Sequence, residues 1–225
     1  FEIKVYIMNN VDLNKILLKL RSDSKADWIG LREMKETTTY RVIRDLKPSS
    51  NNVSIDHGIM VEVLVNGQFG YYGTHNISYD AIKYATDKAY LQALNASKYS
   101  IHKFSTDVRP KSVGSYKSNY SIKEVPLDDL MDTLLKTNKV LKQSEKVVSA
   151  ISMARIVDMD MRFISTNGSD FNQSFMYVGP GFRVIAQDGN IVQSRSYTDQ
   201  CQQAGMENFN QDRVISKCED LSREV

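Results

Sequence analysis

The stretch from Gly58 to Ala96 constrains the fold more than any other part of the chain. Ile59, Val61, Val63 and Val65 alternate with Met60, Glu62 and Leu64, the period-two pattern of a half-buried strand. Asn66-Gly67 follows and supplies the two residues with φ > 0 that a type I′ hairpin turn demands. Phe69 to Tyr72 then returns as the second strand. Ser78 and Asp80 open a helix in which Ile82, Ala85, Ala89, Ala93 and Ala96 share one face at three- and four-residue spacing. Side chains that small let a helix lie close against a sheet, and the pattern predicts a helix ending near Lys98. The fold class is therefore α/β (α+β): antiparallel sheets with β-hairpins, packed by long helices.

Around this segment the chain reads as two similar helix–strands–helix halves. Val11, Leu13, Ile16, Leu17 and Leu20 form the apolar stripe of a short first helix, with Asn10 or Asp12 as N-cap. Trp28 to Asp45 is β-favouring and is expected to be two strands with a turn near Lys35-Glu36, and Pro48 to Asn52 a loop. Arg109 to Tyr120, with Pro110, Gly114 and little apolar content, reads as the linker. The division expected is residues 1–108, a linker at 109–121, and a second half at 122–225.

In that second half, Pro126 sits at a helix N1 position, with Asp128 and Asp129 in the first turn and Lys136, Lys139 and Lys142 toward the end. Leu127, Leu130, Met131, Leu134, Leu135 and Leu141 make its apolar stripe. Val157 to Ile164 alternates as a strand, and Asn167-Gly168 is a second type I′ signal. Further strands run through Phe171 to Tyr177 and Phe182 to Ala186, and Asp188-Gly189 turns into Ile191 to Thr198. A last helix begins near Gln211 or Asp212. The chain opens on Phe1 rather than Met and ends without a helix stop signal, so a piece of a longer protein is expected.

Composition narrows the class. Of 225 residues, 41% are hydrophobic and 25% charged, which excludes collagen-like, low-complexity and disordered chains. The 29 Lys and Arg against 27 Asp and Glu leave a formal charge of +2, against a dedicated nucleic-acid binder. No apolar run reaches the roughly 18 residues of a transmembrane helix, and the N-terminal stretch is not a signal peptide. Cys201 and Cys218 lack a C-x-x-C pairing, so a reduced cytoplasmic setting is expected. The N-x-[ST] sequons at Asn52, Asn76, Asn95, Asn119, Asn167 and Asn172 are read as unused.

No reactive constellation stands out. His57, His75 and His102 are too far apart in sequence for the i, i+4 pair of a helix-borne zinc site. Ser22-Asp23-Ser24-Lys25 fits S-x-x-K but reads as a polar helix end. Cys201 and Cys218 have no neighbours that favour a thiolate. Gly179-Pro180-Gly181 is not a phosphate loop and reads as a kink or bulge between strands. Asp158 and Asp160 share a strand face, which solvent exposure explains as well as acid–base work. Tyr71, Tyr72, Tyr79, Tyr84 and Tyr90 lack the basic field that base stacking needs. No residue is assigned a catalytic, cofactor-binding or metal-binding role.

The segment Gly58 to Ala85, with Gly67, Gly70, Gly73, Thr74, Ser78, Asp80, Ile82 and then Ala89 and Ala93, resembles the N-terminal domain of the TldD/PmbA family, the modulators of DNA gyrase regarded as zinc metallopeptidases. Ala26-Asp27-Trp28-Ile29-Gly30-Leu31-Arg32 resembles that family's first strand. Glu62 departs from it where Arg is common, and Met60 where a second Gly is common. The resemblance implies the N-terminal, non-catalytic half of a zinc metallopeptidase that cleaves flexible peptides, with a capping and dimerisation role. It implies a zinc-binding H-E-x-x-x-H helix outside this chain, a homodimer or a heterodimer with a paralogous subunit, and no nucleic-acid or membrane partner. It also implies peptide capture by strand addition, with Ile191 to Thr198 as the expected edge. The alternative is a non-enzymatic interaction module or pseudo-enzyme subunit of the same fold.

Overall fold

The structure is a computed structural model describing residues 12–119, 127–198, 202–203 and 205–225. Its elements, in order, are α1 (Leu13–Asp23), β1 (Trp28–Arg44), β2 (Lys47–Val65), β3 (Gln68–Thr74), α2 (Tyr79–Ser97), β4 (Val113–Lys117), α3 (Leu127–Leu141), β5 (Val147–Ser165), β6 (Asp170–Asp188), β7 (Ile191–Thr198), β8 (Gln202–Gln203) and α4 (Gln211–Glu224). The sheet order is β3-β2-β1-β5-β6-β4, and β7 and β8 also pair with β6. Antiparallel hairpins dominate. The sequence-based α+β expectation holds.

The chain clusters into two compact units. The first takes in the chain up to Lys35, His57–Tyr116 and Met161–Gln173; the second takes in Glu36–Asp56, Lys117–Asp160 and Ser174–Val225.

In the first unit, the expected hairpin pairs Val65 with Gln68, Val63 with Gly70 and Ile59 with Thr74. Asn66 (φ 50°) and Gly67 (φ 79°) form the I′ turn. Ile59, Val61, Val63 and Val65 face Ile82, Ala85, Ala89 and Ala93 of α2 and Leu13, Ile16, Leu17 and Leu20 of α1 in one core. Ser78 caps α2 by accepting the Ala81 N–H, and Asp12 caps α1 by accepting that of Lys15. Trp28, Leu64 and Phe163 form a separate aromatic cluster, with Phe69 and Phe171 against it. Trp28 meets Phe69 edge-on, and Phe163 stacks on Phe171 at 5.1 Å.

The turn at Asn167-Gly168 differs from the expected I′ form. Gly168 alone is left-handed (φ 89°); its N–H donates to Ser165 O, and Ser165 N–H donates to Ser169 O. That is a three-residue loop closed by a glycine bulge.

In the second unit, three sequence expectations are corrected. Lys35-Glu36 is not a turn: β1 runs unbroken for 17 residues, because Glu36 is accommodated in the strand by accepting the Thr38 hydroxyl. Pro48 to Asn52 is not a loop but part of β2. The hairpin turn lies just before it, at Asp45 (φ 49°) and Leu46 (φ 65°). Gly179-Pro180-Gly181 is no kink between strands, since β6 is continuous through it. A Cβ on Gly181 would stand 2.5 Å from Met153 Cε, the movable end of a flexible side chain.

A buried polar network holds the Asp45-Leu46 turn. Asn138 on α3 accepts the Leu46 N–H at 2.8 Å and donates to Ile43 O. Asp45 accepts from Lys142 and from the Ala150 N–H, each at 2.9 Å. The unit has two apolar clusters. One gathers Ile43, Leu130, Leu134, Ile156, Met176, Val178 and Phe209. The other gathers Leu141, Phe182, Val184, Val214, Cys218 and Leu221. Asn210 caps α4 through the Arg213 N–H. β7 pairs with β6 from Asp188–Ile191 to Gly181–Thr198, so the turn falls at Gly189-Asn190, one residue later than the sequence suggested. Pro126 and Cys201 lie outside the described residues.

Candidate functional site

The residues singled out from sequence are held apart, each by local contacts. His57 Nε2 lies 2.9 Å from Glu33 Oε1. His75 is exposed, and the His102 ring meets Phe104 at 4.7 Å. Among the described residues, no three of His, Cys, Asp and Glu gather around a common point that would suit a metal ion. Ser22 spends its hydroxyl on Lys19 O, closing the last turn of α1. Asp160 is exposed and Asp158 half-buried on β5. The tyrosines pack or bond locally: Tyr72 on Tyr84, Tyr71 on Phe69, and the Tyr79 hydroxyl donates to Asp23. Burial pushes the Cys218 thiol up to about 12, so it is a packing residue rather than a nucleophile.

Sequence reasoning missed one charged cluster. Glu62, 3% exposed, sits between two arginines: Oε1 lies 3.3 Å from Arg32 Nη2 and Oε2 lies 3.2 Å from Arg109 Nε. The Arg109 guanidinium also lies over the Phe69 ring, 4.9 Å from its centre. Arg109 O accepts from Asn167 Nδ2 at 2.7 Å, and Asn167 Oδ1 accepts the Trp28 indole N–H. Phe104 N–H donates to Gly67 O, and Gln68 Nε2 donates to His102 O. The segment from His102 to Arg109 is thus strapped to the β2–β3 hairpin by its backbone and one arginine. The signal in sequence was a carboxylate in the middle of an apolar strand, which needs a buried cation to be tolerated.

Beyond Arg109 the chain enters β4, exposed at every residue. Asp170 N–H donates to Ser112 O and Ser118 N–H donates to Ser174 O. Chain order is the same at both ends, so β4 runs parallel to β6, with Gly114 beside Phe171. Gly114 (φ 151°) has no atom within 4 Å of where a Cβ would stand. A cavity of about 290 Å³ lies here, lined by Ser112, Gly114, Tyr116, Phe171 and Gln173 among others. A second hollow of about 340 Å³ lies between α1 and the 165–170 turn, lined by Leu17, Leu18 and Arg21. There the polar groups of the turn are already bonded: Thr166 Oγ1 accepts the Ile29 N–H, and Ser169 Oγ accepts that of Ser112. No helix among the described residues is long and apolar enough to cross a membrane.

Residues 31–93 match the family model for the PmbA/TldA metallopeptidase domain 1. The Gly58–Ala85 segment lies inside that match. No protein of curated function matches the sequence. Solved structures share the fold at low identity. A candidate modulator of a DNA gyrase from Thermotoga maritima superposes with a TM-score of 0.65 at 14% identity, over 94% of this chain and 48% of that one. TldE from Thermococcus kodakarensis gives 0.61 at 14% identity, over 92% and 47%. A candidate modulator of DNA gyrase from Bacteroides thetaiotaomicron gives 0.63 at 12% identity, over 91% and 49%. The chain spans about half the length of these structures.

Proposed function

Over residues 31–93 the chain carries the first domain of the PmbA/TldD family, and on that premise we propose that it serves as the N-terminal, non-catalytic half of a zinc metallopeptidase acting on flexible peptides. The observation that carries the reading is the family match, supported by a fold likeness that covers nearly all of this chain and only about half of each solved structure. In this reading the metal and the groups that activate water belong to the other half. This half caps the site, guides extended polypeptide and contributes to dimer contacts, with an identical or paralogous subunit, in the cytoplasm. Exposed strand edges suit that task, because an extended peptide can add to them through its backbone alone. β7, the edge expected from sequence, leaves Ile191 (66%) and Val192 (58%) exposed.

The alternative is a non-enzymatic interaction module of the same fold. One experiment separates the two: zinc content of the complete polypeptide that contains this chain, measured by atomic emission. About one zinc per polypeptide supports the peptidase reading; a metal-free, folded protein supports the alternative.

A further inference from the structure

We propose that the free edge of β4, together with the slot at Gly114, binds an extended, acidic polypeptide segment that carries a large apolar side chain. This rests on the reading that the chain handles extended polypeptide, and it names the chemistry of that polypeptide and where it docks.

The edge comes first. In a parallel ladder alternate residues turn their backbone groups to the partner strand. Ser112 and Ser118 bond toward β6, so Val113 and Ser115 point their N–H and C=O groups to the other side. β4 ends the sheet order there, with no further strand beside it among the described residues. Natural edges are usually blunted by charge, proline or a bulge. Val113, Gly114, Ser115 and Tyr116 carry none of these, and the charge on β4 is confined to Lys117 at its end.

The slot comes second. Gly114 keeps a backbone angle that glycine favours and adds no side chain to the space, which the half-buried Phe171, itself stacked on Phe163, lines together with Tyr116 and Gln173. At about 290 Å³ the space is at the bottom of the range for small-molecule pockets. It suits one side chain, and an aromatic floor favours an aromatic or large aliphatic one. A strand edge beside a side-chain pocket is the arrangement of strand-addition recognition, in which the backbone supplies affinity and the pocket supplies selectivity.

Charge comes third and decides the occupant. From Val108 to Asn119 the chain has Arg109, Lys111 and Lys117 and no carboxylate. Glu62 is shared between Arg109 and Arg32, and Asp170, at the start of β6, pairs with Arg162. Among the described residues no carboxylate pairs with Lys111 or Lys117, and this positive charge at the two ends of the edge favours acidic residues on either side of the apolar one. β7 offers a poorer match, since Arg195 lies 3.9 Å from Glu224 and the Arg213 guanidinium donates to the Tyr197 hydroxyl.

The test is fluorescence anisotropy on the 225-residue chain with three labelled ten-residue peptides. One has a central phenylalanine flanked by Asp and Glu; the second has glycine for phenylalanine; the third has lysine for each acid. The first is expected to bind at least tenfold tighter than either control, and more weakly as salt is raised. Ser115→Pro, which removes an outward N–H, and Tyr116→Ala, which removes a wall, are each expected to weaken it at least tenfold with melting curves unchanged. If Ser115→Pro fails to fold, Lys111→Glu replaces it, with the same loss expected. Equal binding of all three peptides, unaffected by the variants, overturns this site and leaves peptide handling in general standing. Binding of none overturns both.

Discussion

The carbonyl oxygen of Ala89 lies 2.0 Å from the point where a Cβ on Gly70 would stand. Ala93 N is 2.9 Å from the same point, so helix α2 rests directly on the backbone of β3. The alanine face of α2 and the glycine of β3 are two halves of one contact. Gly70→Ala forces backbone apart rather than a flexible side chain. We expect it to cost about 3 kcal/mol, at the upper end of overpacking effects. At Gly73 the nearest side-chain atom, Met60 Cε, is 3.8 Å from the corresponding point, an ordinary contact. Gly73→Ala is expected to change stability by less than about 1 kcal/mol. Urea unfolding of the two variants checks the contrast, and equal effects would contradict it.

Leu46 adopts φ 65°, a conformation costing a non-glycine residue roughly 1–2 kcal/mol. Leu46 is 44% exposed, so the burial lost on removing its side chain is well short of that of a core leucine and is offset by the relieved strain. Leu46→Gly is expected to be neutral or to stabilise by up to about 1 kcal/mol. Asn138→Ala, which strands the Leu46 N–H and Ile43 O, is expected to cost about 1–3 kcal/mol. Thermal melts of both variants test the pair.

Glu62 is buried between Arg32 and Arg109, whose side chains keep 43% and 37% of their exposure. Removing the carboxylate leaves two guanidinium groups that can partly rehydrate, so Glu62→Gln is expected to cost about 2 kcal/mol, below the range for fully buried pairs. The strap from His102 to Arg109 should also loosen. Faster hydrogen exchange at the Phe104 amide, bonded to Gly67 O in the native fold, reports that loosening. Unchanged exchange would remove Glu62 from the role.

Cys218 is fully buried, and its thiol is pushed up to about 12 from the ordinary thiol value of 9.0, chiefly by burial. Folding thus holds a proton that the unfolded chain releases earlier. The stability this contributes is complete below pH 9 and is lost as pH rises from 9 toward 12. In a Cys201→Ser background, iodoacetamide at pH 8 is expected to leave the native protein unmodified and to label it once urea unfolds it. Rapid native labelling would show an accessible thiolate.

Local chemistry made the β2–β3 hairpin and the helices legible. Asn66-Gly67, Ser78 and the alanine spacing all act within a few residues of themselves. The Asp45-Leu46 turn was hidden because leucine is not a turn residue, and because Asn138, the side chain that holds it, lies 92 positions away. The same distance problem concealed the Glu62 cluster, where Arg109 is 47 residues off. Lys35-Glu36 misled for another reason: two charges in succession read as a break, whereas β1 carries them half-buried on its opposite faces, with Glu36 accepting the Thr38 hydroxyl. Gly114 was noticed only as linker composition; its slot exists because Phe171, from β6, lies beside it.

On the function proposed above, peptide hydrolysis belongs to a metal-bearing half and not to these 225 residues. The most direct measurement compares cleavage of a flexible, quenched-fluorescent peptide by the 225-residue chain with one equivalent of zinc and by the complete polypeptide, each with and without a chelator. No cleavage by the chain alone and chelator-sensitive cleavage by the complete protein are expected. Cleavage by the chain alone, or a complete protein that binds no zinc and cleaves nothing, would contradict that reading.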